Sequence, residues 1–154
     1  MASKARAILG AVRTALAAVN GTGVYVHNLT GSADCIKGGR PLDTDFHYPA
    51  CWVAAGPLTS THGPQLGRYR RELVIDLQAR AAAPGTPDDR GLIAADLLND
   101  ITIALEQDRT LGGTVLDIIV EGMSIDGDEA GIPGVAIAMA VVKVYWHANS
   151  GAGV

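Results

Sequence analysis

The stretch GVAIAMAVVKVYWH, residues 134–147, decides the fold, because both of its faces are apolar. Side chains of a strand alternate between the two faces of its sheet. One face carries Val135, Ile137, Met139 and Val141, and the other carries Ala136, Ala138, Ala140, Val142 and Val144. This pattern is typical of a strand that is covered on both sides.

Four further segments upstream are predicted to be strands. Residues 68–80 alternate most clearly, since Leu73, Ile75 and Leu77 are interleaved with Glu72 and Asp76. Residues 114–125 form a second long strand, which an acidic turn at 126–128 joins to the last one. Short apolar runs at 50–55 and 23–27 complete the set.

Two segments have the three-to-four residue spacing of apolar side chains that indicates an amphipathic helix. The first is 3–19, with Ser3 as its N-cap. The second is 91–107, which Asp88 or Asp89 can cap and whose stripe is Ile93, Leu97, Ile101 and Leu105. The sequence therefore predicts an α+β fold, a mostly antiparallel twisted sheet of about five strands with two helices packed on it.

The 154 residues fit a single domain, 1–154, with 48% hydrophobic and 18% charged residues. Within it, residues 28–49 and 56–67 are rich in Gly and Pro and have no period, so we expect them to be irregular. Long irregular segments inside a compact domain are often functional. Residues 148–154 are expected to fray.

Two charge clusters of opposite sign are candidate subunit-interface residues. Arg68, Arg70 and Arg71 begin a long strand, and the acidic hairpin tip carries Asp126, Asp128 and Glu129. In a head-to-tail ring, two such patches can meet on neighbouring subunits. The alternatives are solvated strand ends or, for the arginines, nucleic acid, which the net charge of −4 disfavours.

The residues that resemble metal ligands are His27, Cys35, His47 and Cys51. Structural zinc sites draw their ligands in closely spaced pairs, and no Cys-x-x-Cys occurs here. A loop histidine and a buried free thiol are the simpler interpretation. A serine elbow of the form Gly-x-Ser-x-Gly is also missing, so we expect no enzyme activity, no metal and no cofactor. A small metal-binding domain or enzyme that uses these four residues remains the alternative from another functional class.

From residue 68 onward the order of motifs is familiar. A charged entry, RRELVIDL (70–77), precedes a proline- and aspartate-containing turn and a helix that ends DITIALEQD (100–108). The segment TLGGTV (110–115), an acidic hairpin and an apolar strand that ends Val144-Tyr145 follow. This arrangement resembles the tail terminator (minor tail protein) family of long-tailed bacteriophages.

The resemblance implies a structural virion protein. Such proteins form a homo-oligomeric ring, usually a hexamer, at the head-proximal end of the tail. The ring stops growth of the tail tube and presents the surface to which the head connector joins. Its expected partners are its own copies, the tail-tube protein and the head–tail connector proteins, with no membrane and no sequence-specific nucleic acid. Assembly is expected in the host cytoplasm. A tail-tube or head-completion subunit of the same assembly remains an alternative.

Overall fold

Seven helices and strands follow one another in the computed structural model, which describes residues 2–31, 35–41, 49–63 and 67–149, with the backbone alone at 126 and 149. In chain order they are α1 (Lys4–Leu16), β1 (Ile36–Gly38), β2 (Ala50–His62), β3 (Arg68–Ala82), α2 (Pro87–Glu106), β4 (Asp117–Asp126) and β5 (Val135–Asn149). The predicted α+β class, with two helices and a mostly antiparallel five-stranded sheet, is confirmed.

The strands lie in the order β1-β2-β3-β5-β4, so the doubly apolar strand β5 sits between β3 and β4. β3 and β5 are each 15 residues long and pair without a break, from Arg68 opposite Asn149 to Ala82 opposite Val135. β4 pairs antiparallel with β5 along its whole length and is an edge strand. β1 is parallel to β2 and covers only the part from Cys51 to Val53.

Both helices contribute to the core with buried apolar side chains. The fully buried residues include Ile8, Val12 and Leu16 of α1 and Leu97, Ile101 and Leu105 of α2. They share one core with the side chains of β3 and β5 on this face of the sheet, among them Leu73, Ile75, Leu77, Val142 and Val144. The predicted stripe of α2 is therefore confirmed, with Ile93 half-buried at its beginning.

The opposite face of the sheet is only partly covered, and here the prediction for β5 is wrong. The even-numbered positions of β5 from 136 to 148 are buried, as are Val135 and Ile137 on the other face. Farther along that second face, Met139 is 37% exposed and Val141 is half-buried. In the described chain, the helices cover one face of β5, and the middle of its other face is open.

The prediction that residues 56–67 are irregular is wrong for most of the segment, because β2 continues through His62. Its pairing with β3 shifts register between Ala55 and Leu58, around Pro57. β1 does not reach this part of β2, so proline removes no hydrogen bond to a second neighbour. The side chains of residues 57–62 are all exposed, which explains why no apolar period marks the strand. Residues 64–66 lie outside the described residues.

Residues 23–27 do not form a strand but a turn and a bend, and only an isolated bridge joins Asn20 to Asn28. The first strand is β1 instead, inside the segment 28–49 that was expected to be irregular. Residues 32–34 and 42–48 of that segment lie outside the described residues. β5 includes residues 148 and 149, so the predicted fraying cannot begin at 148, and residues 150–154 are not described.

The N-cap of α2 is Thr86 rather than Asp88 or Asp89. The Thr86 hydroxyl accepts from the Asp89 backbone N–H at 3.3 Å, and the Asp89 carboxylate accepts from the Thr86 N–H at 3.1 Å. This reciprocal pair is a capping box, and Pro87 takes the first turn, where its missing N–H costs nothing. Asp89 thus contributes to the cap as its third helical residue.

The turn that follows α2 is held by Asp108. Its carboxylate accepts from the side-chain hydroxyl of Thr110 at 2.6 Å and from the backbone N–H groups of Thr110 and Gly112 at 3.0 and 2.7 Å. These hydrogen bonds lower the pKa of Asp108, and the bond from the Thr110 side chain has the largest effect. Leu111 and the two glycines after it all have positive φ, which explains the glycine pair in the TLGGTV segment.

Within this turn, Arg109 forms hydrogen bonds to the first residues of the edge strand β4. Its guanidinium donates to both carboxylate oxygens of Asp117, at 2.8 and 3.0 Å, and to the Ile118 carbonyl at 3.1 Å. Bidentate pairing of this kind is among the stronger side-chain contacts. It fixes the place where β4 begins.

Candidate functional site

The predicted basic cluster is divided between the two faces of β3. Arg68 and Arg70 alternate with Arg71, so they project to the side of the sheet opposite the helices while Arg71 projects to the helix side. Arg68 and Arg70 are exposed, and the guanidinium of Arg70 lies 4.5 Å from the ring centroid of Tyr145. Arg68 and Arg70 therefore share one face of the sheet, and Arg71 lies on the other.

The predicted acidic cluster lies in the turn between β4 and β5, and one of its members has a partner in the same chain. The Asp128 carboxylate accepts from the Arg90 guanidinium at 2.5 Å and from the Gly134 N–H at 3.2 Å. Arg90 is buried at the start of α2 and also donates to the Gly85 carbonyl at 2.6 Å. Asp128 thus fastens the turn to α2. Glu129 is exposed, and the side chain of Asp126 lies outside the described part.

The two clusters lie at opposite ends of the sheet. Arg68 pairs with Asn149 at one end of the β3–β5 ladder, and the acidic turn leads into Val135 at the other end. Fourteen residue steps along a strand span about 45 Å. The clusters cannot meet within one subunit, and any contact between them has to be made by two subunits.

The structure does not bring the metal-like residues together as one group. His27 pairs with α2, where its Nδ1 lies 3.0 Å from the Asp100 carboxylate. Cys51 is buried in β2, and its backbone N–H donates to the Cys35 carbonyl at 2.7 Å. His47 lies outside the described residues. Among the residues that are described, no group of three or more His, Cys, Asp or Glu is placed to hold a metal ion.

The two thiols should differ in reactivity. Burial raises the pKa of the Cys51 thiol to about 12, whereas Cys35 is half-buried beside β1. Because the thiolate is the reactive species, we expect an aromatic disulfide reagent at pH 8 to modify one thiol in the native protein and two in denaturant. A Cys35→Ser variant should show no fast-reacting thiol. Rapid modification of both thiols in the folded wild type would contradict this placement of Cys51.

A carboxylate that the sequence analysis did not single out organises the loop after α1. Asp100 is fully buried on α2 and accepts from the backbone N–H groups of Val26 and His27 at 3.0 and 2.8 Å. A buried carboxylate is stable only when its oxygens are hydrogen-bonded. A signal was present in the sequence, because Asp100 follows Leu97 by three residues and so shares the apolar side of the helix.

The open side of the sheet contains a groove, here called the outer groove, of about 650 Å³. Its apolar walls are Trp52, Met123, Met139 and Val141. Met123 is 58% exposed. Charged pairs lie at its sides, with Arg40 3.4 Å from Asp76, and Glu121 3.6 Å from Lys143. The sequence did not indicate this groove, because Met139 and Val141 of β5 were expected to be covered.

Comparison with solved structures gives a weak similarity. No protein-family model matches the chain, and no curated protein matches it. Among solved structures, a chain of the virion of a native gene transfer agent particle aligns with a TM-score of 0.45 and 10% sequence identity. The alignment covers 92% of this chain and 95% of that chain. No helix among the described residues is long and apolar enough to span a membrane. At this identity and TM-score, the similarity supports no conclusion about function.

Proposed function

We propose that the protein is a structural subunit of a phage tail, and specifically a tail terminator. In this role it forms a closed ring, hexameric as in the family it resembles, on the last disc of the tail tube. The ring ends tube growth and offers the joining surface for the head connector. Its role in the virion is mechanical, with no reaction catalysed and no cofactor required.

The observation that carries this proposal is the uncovered middle of β5. Its sequence has the pattern of a strand covered on both sides, yet the helices cover only one. Met123 and Met139 are left in contact with solvent in the outer groove. An exposed apolar surface of this kind is a common mark of a protein–protein interface. A subunit that is completed by its neighbours accounts for both the pattern and the exposure.

The charges at the two ends of the sheet also suit a ring. Every subunit of a head-to-tail ring offers two different patches, one to each neighbour. Arg68 and Arg70 at one end, and Glu129 at the other, are exposed and cannot reach each other in the same subunit. Complementary charge sets register and rejects wrong partners more than it adds affinity.

A test of function is assembly in the presence of growing tail tubes. We expect the purified protein to form closed rings in negative-stain images and to cap tubes at one end, so that tube length stops increasing. Incorporation all along the tube would instead identify a tube subunit. Binding to heads but not to tubes would identify a head-completion subunit. A strict monomer, with or without tubes, would contradict every ring-based role.

Reversing the charge of the basic end should weaken ring formation. We expect Arg68→Glu combined with Arg70→Glu to shift the protein toward monomers at moderate salt in sedimentation velocity, because like charges then face Glu129. Adding Glu129→Lys should partly restore the rings. Asp128 is unsuitable for this rescue, since it holds Arg90.

A matched control reverses two charges elsewhere, with Lys4→Glu and Arg6→Glu at the start of α1. These changes alter the net charge equally and should leave the rings intact. Normal rings in the Arg68/Arg70 variant at both low and moderate salt would show that these two arginines make no subunit contact. Loss of rings in the control would show that the effect does not depend on the position of the reversed charges.

A further inference from the structure

A second interaction feature lies in the helix layer and is formed by residues 20–28, here called the valine loop. Its two ends are joined by the Asn20–Asn28 bridge, and the Leu29 N–H donates to the Val19 carbonyl at 2.7 Å. The Asn20 side chain accepts from the N–H and the hydroxyl of Thr22 at 3.0 and 2.7 Å. The loop is therefore closed on itself by hydrogen bonds.

The C-terminal part of the valine loop is held against α2, because the backbone N–H groups of Val26 and His27 donate to the buried Asp100 carboxylate. Despite this anchoring, the loop turns Val24 and Val26 outward, where they are 62% and 63% exposed. A buried carboxylate thus holds in place a segment whose Tyr25 packs against the core while its two valine side chains contribute little to it. A fixed apolar projection loses little conformational entropy when it binds, and so is suited to recognition.

The outer groove has the complementary properties. It is a concave surface on the sheet side opposite the helices, with thioether and indole walls from Met123, Met139 and Trp52. Methionine side chains adapt their shape to an inserted group. The groove volume of about 650 Å³ can hold two valine side chains with their backbone.

Contact between the valine loop and the outer groove would not bury an unpaired charged side chain. From Val19 to Leu29 the sequence contains no Asp, Glu, Lys or Arg. At the groove, Arg40 is close to Asp76, and Glu121 is close to Lys143. Arg80, which also lines the groove, is already buried and donates to the Gln78 side chain. Burying an unpaired charge would be strongly unfavourable, whereas an uncharged loop that enters a groove flanked by paired charges avoids that cost.

We propose that Val24 and Val26 of one copy insert into the outer groove of a second copy of this chain. The projection belongs to the helix layer and the groove to the opposite side of the sheet, so the contact is head-to-tail and can be repeated from subunit to subunit. The proposal rests on the proposed function in that it supplies a contact by which a ring closes. In this contact, the valine loop of one copy covers the exposed middle of β5 in the other.

Two single substitutions separate the projection from the groove. Val26→Asp places a charge on the loop, and Met123→Asp places one in the groove, both at exposed positions where folding should be unaffected. We expect each variant alone to show self-association weakened at least about tenfold by sedimentation equilibrium, as for loss of a central interface residue. Leu92→Asp, at an α2 side chain that is 67% exposed and lies on neither surface, is the matched control and should associate like wild type.

Mixing the two variants gives the sharpest result. Met123→Asp retains an intact valine loop and Val26→Asp an intact groove, so an equimolar mixture should form one-to-one dimers and stop there. Wild-type association by either single variant, or a mixture that stays monomeric, overturns the proposal, as does a wild type that never self-associates. Loop-dependent dimers or open chains from the wild type, without closed rings or tube capping, would sustain this contact and reject the terminator function alone.

Discussion

Replacing Ile101 by alanine is expected to lower the free energy of unfolding by about 2–5 kcal/mol, the usual range for removing a large buried aliphatic side chain. Ile101 is fully buried at the centre of the α2 stripe, between Leu97 and Leu105, and belongs to the core shared by both helices and the sheet. Loss of its side chain removes apolar burial and leaves a cavity that the surrounding strands cannot close completely. Urea unfolding followed by circular dichroism measures the change.

Leu92 provides the control for this substitution, because it is on the same helix and is largely exposed. Leu92→Ala should alter the free energy of unfolding by less than about 0.5 kcal/mol. Equal, small effects at Ile101 and Leu92 would mean that α2 does not pack on the sheet through the predicted stripe.

Replacing Asp100 by alanine is expected to cost about 3 kcal/mol, since the backbone N–H groups of Val26 and His27 lose a charged acceptor in a buried position. The neighbouring contact to the His27 ring is lost as well. Because the lost hydrogen bonds are those of the valine loop, amide hydrogen exchange at Val26 and His27 should accelerate more than exchange at the β3–β5 pairs. Those two amides report the loop directly.

Asp96→Ala is the matched control, because Asp96 is an exposed carboxylate on the same helix. It should leave both the stability and the loop exchange rates close to those of the wild type. If Asp100→Ala keeps full protection at Val26 and His27, the buried carboxylate does not anchor the valine loop.

The periodicity of apolar residues predicted the helices and strands that have one buried and one exposed face. It failed for strands whose two faces are equally exposed. Leu73, Ile75 and Leu77 alternate with polar residues because one side of β3 is buried, so the strand was evident. The second half of β2 has solvent on both sides, and its polar sequence therefore resembled a loop. The run at 23–27 was mistaken for a strand because Val24 and Val26 alternate, although both are exposed.

The candidate interaction residues were predicted from charge alone, and charge does not give direction. Arg70 and Arg71 are adjacent in sequence and therefore project to opposite sides of β3. Asp128 was grouped with Glu129, yet its partner Arg90 lies 38 residues away in sequence and is buried. Contacts over such separations depend on the tertiary fold, and no local pattern encodes them.

Arg109 bears on how the newly made chain behaves before it meets any partner. A free edge strand such as β4 is a template on which strands from other molecules can add, which leads to amyloid-like aggregates. Arg109 occupies the Ile118 carbonyl and places its positive charge where β4 begins, one of the devices by which natural proteins protect a sheet edge. We therefore expect the guanidinium that pairs at the start of β4 to hinder strand addition at this edge and to lower the tendency of the chain to aggregate.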